Sequence, residues 1–229
     1  MLGNPVMLID PTGMAPESTH IDEYGNVIAE FDDGDNGVYV HDFSTSQKDI
    51  EQQRDGGKFT GGDGNWIGDL GGNINVDNIF ANVLQQNGEE AAGLFGNDPL
   101  VLTNWVSRVK KDGEWDLKNN KATIFGVAWA FDDGKSNSEK TNFTFGNIQG
   151  NAADFGNLHA GFTGVKAGIP EPMQKVGAGV VEQLKMKNYK AFFPQNYIDG
   201  PNKFFTQPHH DRQRDFEFNT KGMQMAKFK

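Results

Sequence analysis

Glycine is the residue that most limits what this chain can fold into. The sequence contains 29 glycines in 229 residues, against about 16 expected at the usual rate of about 7%. Glycine loses more backbone entropy on folding than any other residue, and it favours turns and close backbone approaches. We therefore expect a turn-rich chain. One run that holds three of the glycines, Asp154 to Gly164 (DFGNLHAGFTG), is predicted to be a glycine-rich turn that leads from an aspartate toward a helix.

Charge is distributed unevenly along the chain. Residues 1–100 hold 18 acidic and three basic residues, whereas residues 101–229 hold 13 acidic and 18 basic residues. The two segments carry formal charges of −15 and +5, which together give the net charge of −10. A boundary near residue 100 is the simplest interpretation. The sequence has no cysteine, which excludes disulfides and thiolate chemistry, and no apolar run long enough to span a bilayer.

Hydrophobic patterns indicate several strands. Short β-rich runs at residues 27–31 and 38–41 alternate with turn clusters, which predicts a small β meander. Residues 43–72 are polar and rich in glycine, so we expect a linker or a surface loop there. Two further runs, residues 122–131 (ATIFGVAWAF) and 142–148 (NFTFGNI), look like paired strands. Short apolar runs are also compatible with helix.

Three helices are predicted in the second half of the chain. One begins after Asp98 and packs through Trp105, which belongs to an apolar stripe at helical spacing. Residues 172–187 show the same spacing. Residues 211–229 are predicted to form a helix that Gly222 weakens. Together the patterns predict an α+β fold, in which a small β-rich N-terminal connector precedes a mixed, helix-containing C-terminal domain.

The glycine-rich run shares part of its pattern with phosphate-binding loops. Its glycine and threonine positions match a P-loop, but Phe162 occupies the position of the lysine that contacts phosphate. This excludes a P-loop, and no GxGxxG pattern supports a dinucleotide site. Two interpretations stay open. The run is either a catalytic loop that assembles polar groups, or a tight connection in which Asp154 and Asn157 bond local backbone.

Histidines cluster once, at His209 and His210, next to Asp211. Imidazole and carboxylate groups together could serve acid–base chemistry, bind phosphate or ligate a divalent metal. Adjacent histidines seldom reach one ion, so a surface cluster without function is the alternative. An active site would require His159 or Asp154 to lie nearby in space. The segment DGEWDLK, residues 112–118, is interpreted from its residues alone as a turn that Trp115 anchors in the core.

The N-terminal segment NPVMLIDPTGM resembles the end of the shell-forming core of Rhs proteins, where a DPxG motif precedes self-cleavage. The resemblance implies that Asp10 belongs to an aspartate autoprotease and that the bond after Met14 is cleaved. The rest of that protease would lie in the Rhs shell, so this chain alone is not expected to cut itself. The acidic stretch that follows resembles the connector of Bacteroidetes-type Rhs proteins. The resemblance divides the chain into the end of the Rhs core (1–14), an acidic connector (15–99) and a toxin domain (100–229).

Residues 100–229 resemble the polymorphic toxin type 44 domain. Three segments carry the resemblance: EWDLK, DFGNLHAGFTG and DRQRDFEFNTKG. The positions that match are Trp115, Asp116, Lys118, Asp154, Gly156, Asn157, Gly161, Thr163, Gly164, Asp211, Asp215 and Gly222. Residues 119–153 look like an insertion, and His159 occupies a position where relatives often have asparagine. The resemblance favours the catalytic interpretation of the glycine-rich run.

An Rhs toxin is an antibacterial effector, delivered into a competing cell by a type VI secretion apparatus. The first hypothesis is a hydrolase that cleaves RNA, in which the basic segment attracts phosphate. The candidate catalytic residues are Asp154, Asp215, Asp211, Lys118, His210 and His159. The candidate substrate-binding residues are Asp116, Asn157, Thr163, Arg212 and Arg214.

Two alternatives stay open at this point. A cell-wall hydrolase in the periplasm would use Asp154 with Asp215 or Asp211 as a carboxylate pair, and a membrane-disrupting toxin would need no catalysis. The resemblance implies a cognate immunity protein, the Rhs shell and the secretion spike as partners. We expect a monomer that acts in the cytoplasm of the target cell, or in its periplasm under the second hypothesis. No cofactor is predicted, and dependence on a divalent metal is left open.

Overall fold

The computed structural model describes residues 17–55, 58, 59, 62, 64–94, 100–132, 141–175 and 213–227. The described strands are β1 (Glu17–Ile21), β2 (Val27–Asp32), β3 (Gly37–Val40), β4 (Arg54–Asp55), β5 (Lys58–Phe59), β6 (Asn65–Asp69), β7 (Asn73–Asn75), β8 (Asn142–Phe145) and β9 (Ile148–Gly150). The described helices are α1 (Gln47–Gln52), α2 (Asp77–Leu94), α3 (Val101–Val109), α4 (Ile124–Phe131), α5 (Ala152–Lys166) and α6 (Gln213–Lys227). The predicted α+β class is confirmed.

One mixed sheet organises the structure. Seven strands lie in the order β2-β1-β3-β6-β7-β8-β9. The pairs β1–β3 and β7–β8 are parallel and the other neighbours are antiparallel. A small hairpin, β4–β5, lies outside this sheet. Because β8 and β9 come from the second half of the chain, the charge boundary near residue 100 does not coincide with a boundary of the sheet.

The main hydrophobic core also includes residues from both halves of the chain. It extends in sequence from Ile21 to Ala226 and contains several phenylalanines that pack against one another. Phe80 on α2 lies 4.8 Å from Phe155 on α5, and Phe125 on α4 lies 4.8 Å from Phe143 on β8, both measured between ring centres. Aromatic pairs at this separation add to the free energy gained from burial. The helices are thereby fixed against the sheet.

The two predicted strands are confirmed, because residues 27–31 and 38–40 lie in β2 and β3. Their arrangement as a meander is wrong, because β1 lies between β2 and β3 and pairs in parallel with β3. The expectation of a linker over residues 43–72 is wrong. That segment forms α1, β4, β5 and β6, and Ile50 on α1 is completely buried. Ser46 and Asp49 form a reciprocal capping box at the start of α1, which satisfies backbone N–H groups of its first turn. The polar composition of the segment did not indicate this helix.

Residues 124–131 form α4, so the expectation that the run 122–131 is a strand is wrong. Thr123 caps the helix by accepting a hydrogen bond from the Gly126 N–H at 3.3 Å. The run is apolar on nearly every side, and such a segment has no periodicity that separates a buried helix from a buried strand. The second run is a strand region as predicted, although β8 pairs with β9 and β7 rather than with residues 122–131.

The helix through Trp105 is confirmed as α3, with Trp105 buried. Asp98, its predicted start, lies outside the described residues. The predicted helix over residues 172–187 is helical as far as residue 175, and its remainder lies outside the described residues. The C-terminal helix is confirmed as α6. The 18-residue helix α2 was not predicted, although its buried residues recur at helical spacing.

The glycine-rich run lies inside helix α5, so the prediction that it forms a turn is wrong. Gly161 and Gly222 explain why this segment is helical although glycine has a high entropic cost in a helix. A Cβ on Gly161 would clash with the carbonyl oxygen of Asn219, and a Cβ on Gly222 would clash with that of Leu158. The glycines therefore let α5 and α6 approach closely, and burial of both helices offsets their low helix propensity.

Candidate functional site

Polar side chains gather where α5 and α6 begin. Asp154 and Asn157 are three residues apart and therefore lie on one face of α5. Arg214 and Asp215 lie in the first turn of α6 and contact this face. The two helices run in the same direction, since their early residues meet here and Gly222 meets Leu158 further along. We call these four residues the α5–α6 polar site.

Asp154 and Arg214 form a two-pronged ion pair. Arg214 donates from Nε to Asp154 Oδ1 at 2.7 Å and from an Nη to Asp154 Oδ2 at 2.6 Å. The Asp154 side chain is 2% exposed, whereas that of Arg214 is 55% exposed. Asp154 Oδ2 also accepts from the Asn151 N–H at 2.8 Å, within the capping box that begins α5. Asp154 is thus held as a carboxylate acceptor that fixes a partly exposed guanidinium.

Asp215 is the more accessible acid of the site. Its Oδ1 accepts a hydrogen bond from Asn157 Nδ2 at 2.9 Å, and its residue is half-buried. The Asn157 carbonyl oxygen accepts from Asn219 Nδ2 at 3.3 Å, which ties the same turn of α5 to α6 a second time. A half-buried carboxylate that a hydrogen bond orients can act as a proton acceptor.

His159 lies on a different face of α5, inside the protein. It is completely buried, and its Nε2 lies 2.9 Å from Asn87 Nδ2 on α2. Burial lowers the pKa of His159 to about 4, so the ring is neutral at pH 7. A buried imidazole cannot contact a substrate in this conformation, and its predicted catalytic role gains no support here. Phe155 and Phe162 flank it at helical spacing, which was the available signal for a core position.

Two other motif residues, Thr163 on α5 and Trp115 of the EWDLK segment, lie in the core beside His159. Trp105 Nε1 donates to Thr163 Oγ1 at 3.2 Å, and Thr163 Oγ1 donates to the His159 carbonyl oxygen at 3.0 Å. The Trp115 ring meets the His159 ring edge-on, with 6.0 Å between ring centres. The interpretation of Trp115 as a core anchor is confirmed, since it is 3% exposed. Thr163, a predicted substrate-binding residue, serves packing in this structure.

Asp116 and Lys118 contact residues outside the α5–α6 polar site. Asp116 accepts from the Asp112 N–H at 2.9 Å and from Asn119 Nδ2 at 2.6 Å, which closes a local turn. Lys118 Nζ lies 5.4 Å from the centre of the Trp129 ring. The remaining predicted residues, Asp10, Met14, His209, His210, Asp211 and Arg212, lie outside the described residues.

Sequence reasoning missed two asparagines that bond residues of α5, Asn151 at its start and Asn87 on α2. Asn151 begins α5 and accepts from the Ala153 and Asp154 N–H groups at 3.0 and 3.1 Å. An asparagine followed three residues later by an acid is a capping pattern, so this signal was present in the sequence. Asn87 could not be recognised as the partner of His159, because the two residues are separated by 72 positions.

Comparison of the chain with protein-family models, with curated proteins and with solved structures finds no match. The resemblances to Rhs proteins and to the toxin type 44 domain therefore stay predictions. Within the described ranges, no group of three or more histidine and acidic side chains could hold a metal ion. No helix in this part of the chain is long and apolar enough to cross a membrane.

Proposed function

We propose that this protein is an antibacterial effector toxin, released from an Rhs shell, that hydrolyses RNA in a competing cell. The observation that carries the proposal is the contact between two motif segments that are distant in sequence. Asp154 and Asn157 from one segment hold Arg214 and Asp215 from the other. Acid, amide and guanidinium groups thus meet at one partly exposed place, as a phosphate-cleaving site requires.

The proposed roles follow from burial and hydrogen bonding. Arg214 binds a phosphate oxygen through its exposed edge and stabilises charge that develops during cleavage. Asp154 is a positioning residue, because both of its oxygens bond the Arg214 guanidinium. Asp215 accepts a proton from the attacking hydroxyl group. The proton donor to the leaving oxygen is proposed to come from the segment with His210, which stays a prediction.

The ion pair is also the reason that RNA hydrolysis ranks above glycan hydrolysis. A glycosidase needs one carboxylic acid that is protonated before it acts and a second that is ionised. Asp154 would be the partner of Asp215 in such a pair, yet both of its oxygens accept hydrogen bonds from the Arg214 guanidinium. Asp154 is therefore poorly suited to donate a proton to a sugar.

The test is inducible expression of the full chain in a bacterial host, with and without a secretory signal, while growth and total RNA are measured. The decisive variant is Asp215→Asn, which keeps an oxygen to accept from Asn157 and removes the base. The matched control is Glu89→Gln, which neutralises an exposed acid on α2. We expect the wild type and the control to stop growth from the cytoplasm with loss of RNA, and Asp215→Asn to be harmless.

Two results would contradict this expectation. Killing only after export, with lysis and intact RNA, would favour the cell-wall hydrolase instead. Full toxicity of Asp215→Asn would remove Asp215 from the site. Asp154→Asn is less informative by itself, because the loss of the Arg214 ion pair also lowers stability. Its thermal melting should be compared with that of the wild type before any loss of toxicity is assigned to the site.

A further inference from the structure

Helix α6 presents two cations over a single aromatic ring. The Arg214 guanidinium carbon lies 6.0 Å from the centre of the Phe218 ring, and Lys221 Nζ lies 4.6 Å from the same centre. Phe218 itself is buried and packs against Gly150 at the end of β9. Arg214 and Lys221 are exposed. We call Arg214 and Lys221, with Phe218 beneath them, the α6 basic stripe.

The stripe begins at the α5–α6 polar site and leads away from it. Arg214 and Lys221 are seven residues apart, which is two helical turns or about 11 Å along the axis. Seven residues also return nearly to the same face of a helix, so the two cations are aligned. Arg214 lies at the end that contacts Asp154. A chain of phosphates bound along the stripe would therefore end beside Asp215.

The charges along the stripe are not equally compensated. Asp154 pairs with Arg214, whereas Lys221 has no ion pair within the described part of the chain and contacts the face of Phe218. The nearest acid in sequence on this face is Glu217, which accepts a hydrogen bond from Gln213 Nε2 at 2.7 Å. The positive charge of Lys221 can therefore attract an external anion, and the negative charge of Glu217 weakens this attraction.

We propose that the α6 basic stripe binds the phosphate backbone of single-stranded RNA and leads it to Asp215. This inference rests on the proposed function and names how its substrate is held. A single line of cations along one helix fits one strand. Phe218 is buried beneath the cations and offers no face on which a base could stack, so binding is through phosphate and independent of sequence.

The test measures binding of a short, fluorescein-labelled oligouridylate to the full chain by fluorescence anisotropy over a range of salt concentrations. Asp215→Asn is present throughout, so that the strand is not cleaved. We expect Lys221→Gln to weaken binding about five-fold at low salt and to reduce the salt slope by about one phosphate contact. Glu217→Gln should strengthen binding, because it removes the acid beside Lys221. Lys111→Gln, which removes an exposed lysine from the turn after α3, is the control and should leave binding unchanged.

The outcomes separate this inference from the proposed function. If the wild type degrades RNA but Lys221→Gln binds as tightly as the Lys111→Gln control, the stripe is wrong and the nuclease stands. If binding depends on Lys221 but the wild type leaves RNA intact, the stripe stands and the nuclease is wrong. If the chain binds vesicles that contain phosphatidylserine through Lys221 and binds no oligouridylate, the stripe is wrong, and the degradation of RNA by the wild type decides the nuclease separately.

Discussion

Acidification should destabilise this protein through His159, the buried imidazole between α2 and α5. Burial lowers its pKa from 6.5 to about 4 in the folded protein. The unfolded chain therefore binds more protons at this position between about pH 6.5 and pH 4. The contribution of the neutral ring to stability is complete above pH 6.5 and is lost as the pH falls toward 4. A difference of 2.5 pKa units corresponds to about 3 kcal/mol.

The clean measurement compares the wild type with His159→Gln. Glutamine is neutral at every pH and carries an amide that can bond Asn87. The free energy of unfolding is measured by urea denaturation at pH 7 and pH 4, with the fluorescence of the buried Trp105 and Trp115 as the signal. We expect the wild type to lose about 3 kcal/mol more than the variant over this range. His20, whose pKa is lowered to about 3 chiefly by burial, adds a loss that is common to both proteins.

An equal loss of stability in the two proteins would refute this reasoning. It would mean that His159 takes up a proton at similar pH in the folded and unfolded states, and hence that water or a carboxylate reaches the ring. The control is the variant His159→Asn, which is also neutral but shorter. The pH dependence of its free energy of unfolding should match that of His159→Gln. A lower free energy of unfolding than that of His159→Gln, by the same amount at both pH values, would reflect the space left by the smaller side chain.

Two further predictions concern the fold. Gly222→Ala should destabilise the protein by about 2 to 3 kcal/mol, because its Cβ clashes with the Leu158 carbonyl oxygen. Gly156→Ala, with nothing within 4 Å of its Cβ, should instead be neutral or stabilising by up to about 1 kcal/mol; equal melting temperatures for the two variants would contradict the close crossing of α5 and α6. Ile50→Ala should cost about 2 to 4 kcal/mol, since Ile50 is completely buried. A loss below about 0.5 kcal/mol would show that residues 43–72 are the linker that their composition suggested.

The sequence by itself determined the features that rest on neighbouring residues. The class of fold, the strands β2 and β3 between their turns, and the helices α3 and α6 follow from local spacing and turn residues. Trp115 was recognised as a core residue for the same reason. These signals act over one or two turns of chain, and they need no knowledge of what the element packs against.

The tertiary structure decided the features that depend on distant partners. The glycines in α5 favour a turn when only neighbouring residues are considered. Gly222, far along the chain, allows α6 to pack closely against α5, and this packing stabilises the helix. The apolar run of α4 has no periodicity that separates helix from strand, and in the structure its buried residues pack in the core. The polar site exists because Arg214 pairs with Asp154 across 60 residues, a separation that no local sequence pattern reports. Burial and charge pairing depend on residues that are close in space but distant in sequence. Their free energies outweigh differences in helix propensity, which are about 1 kcal/mol per residue.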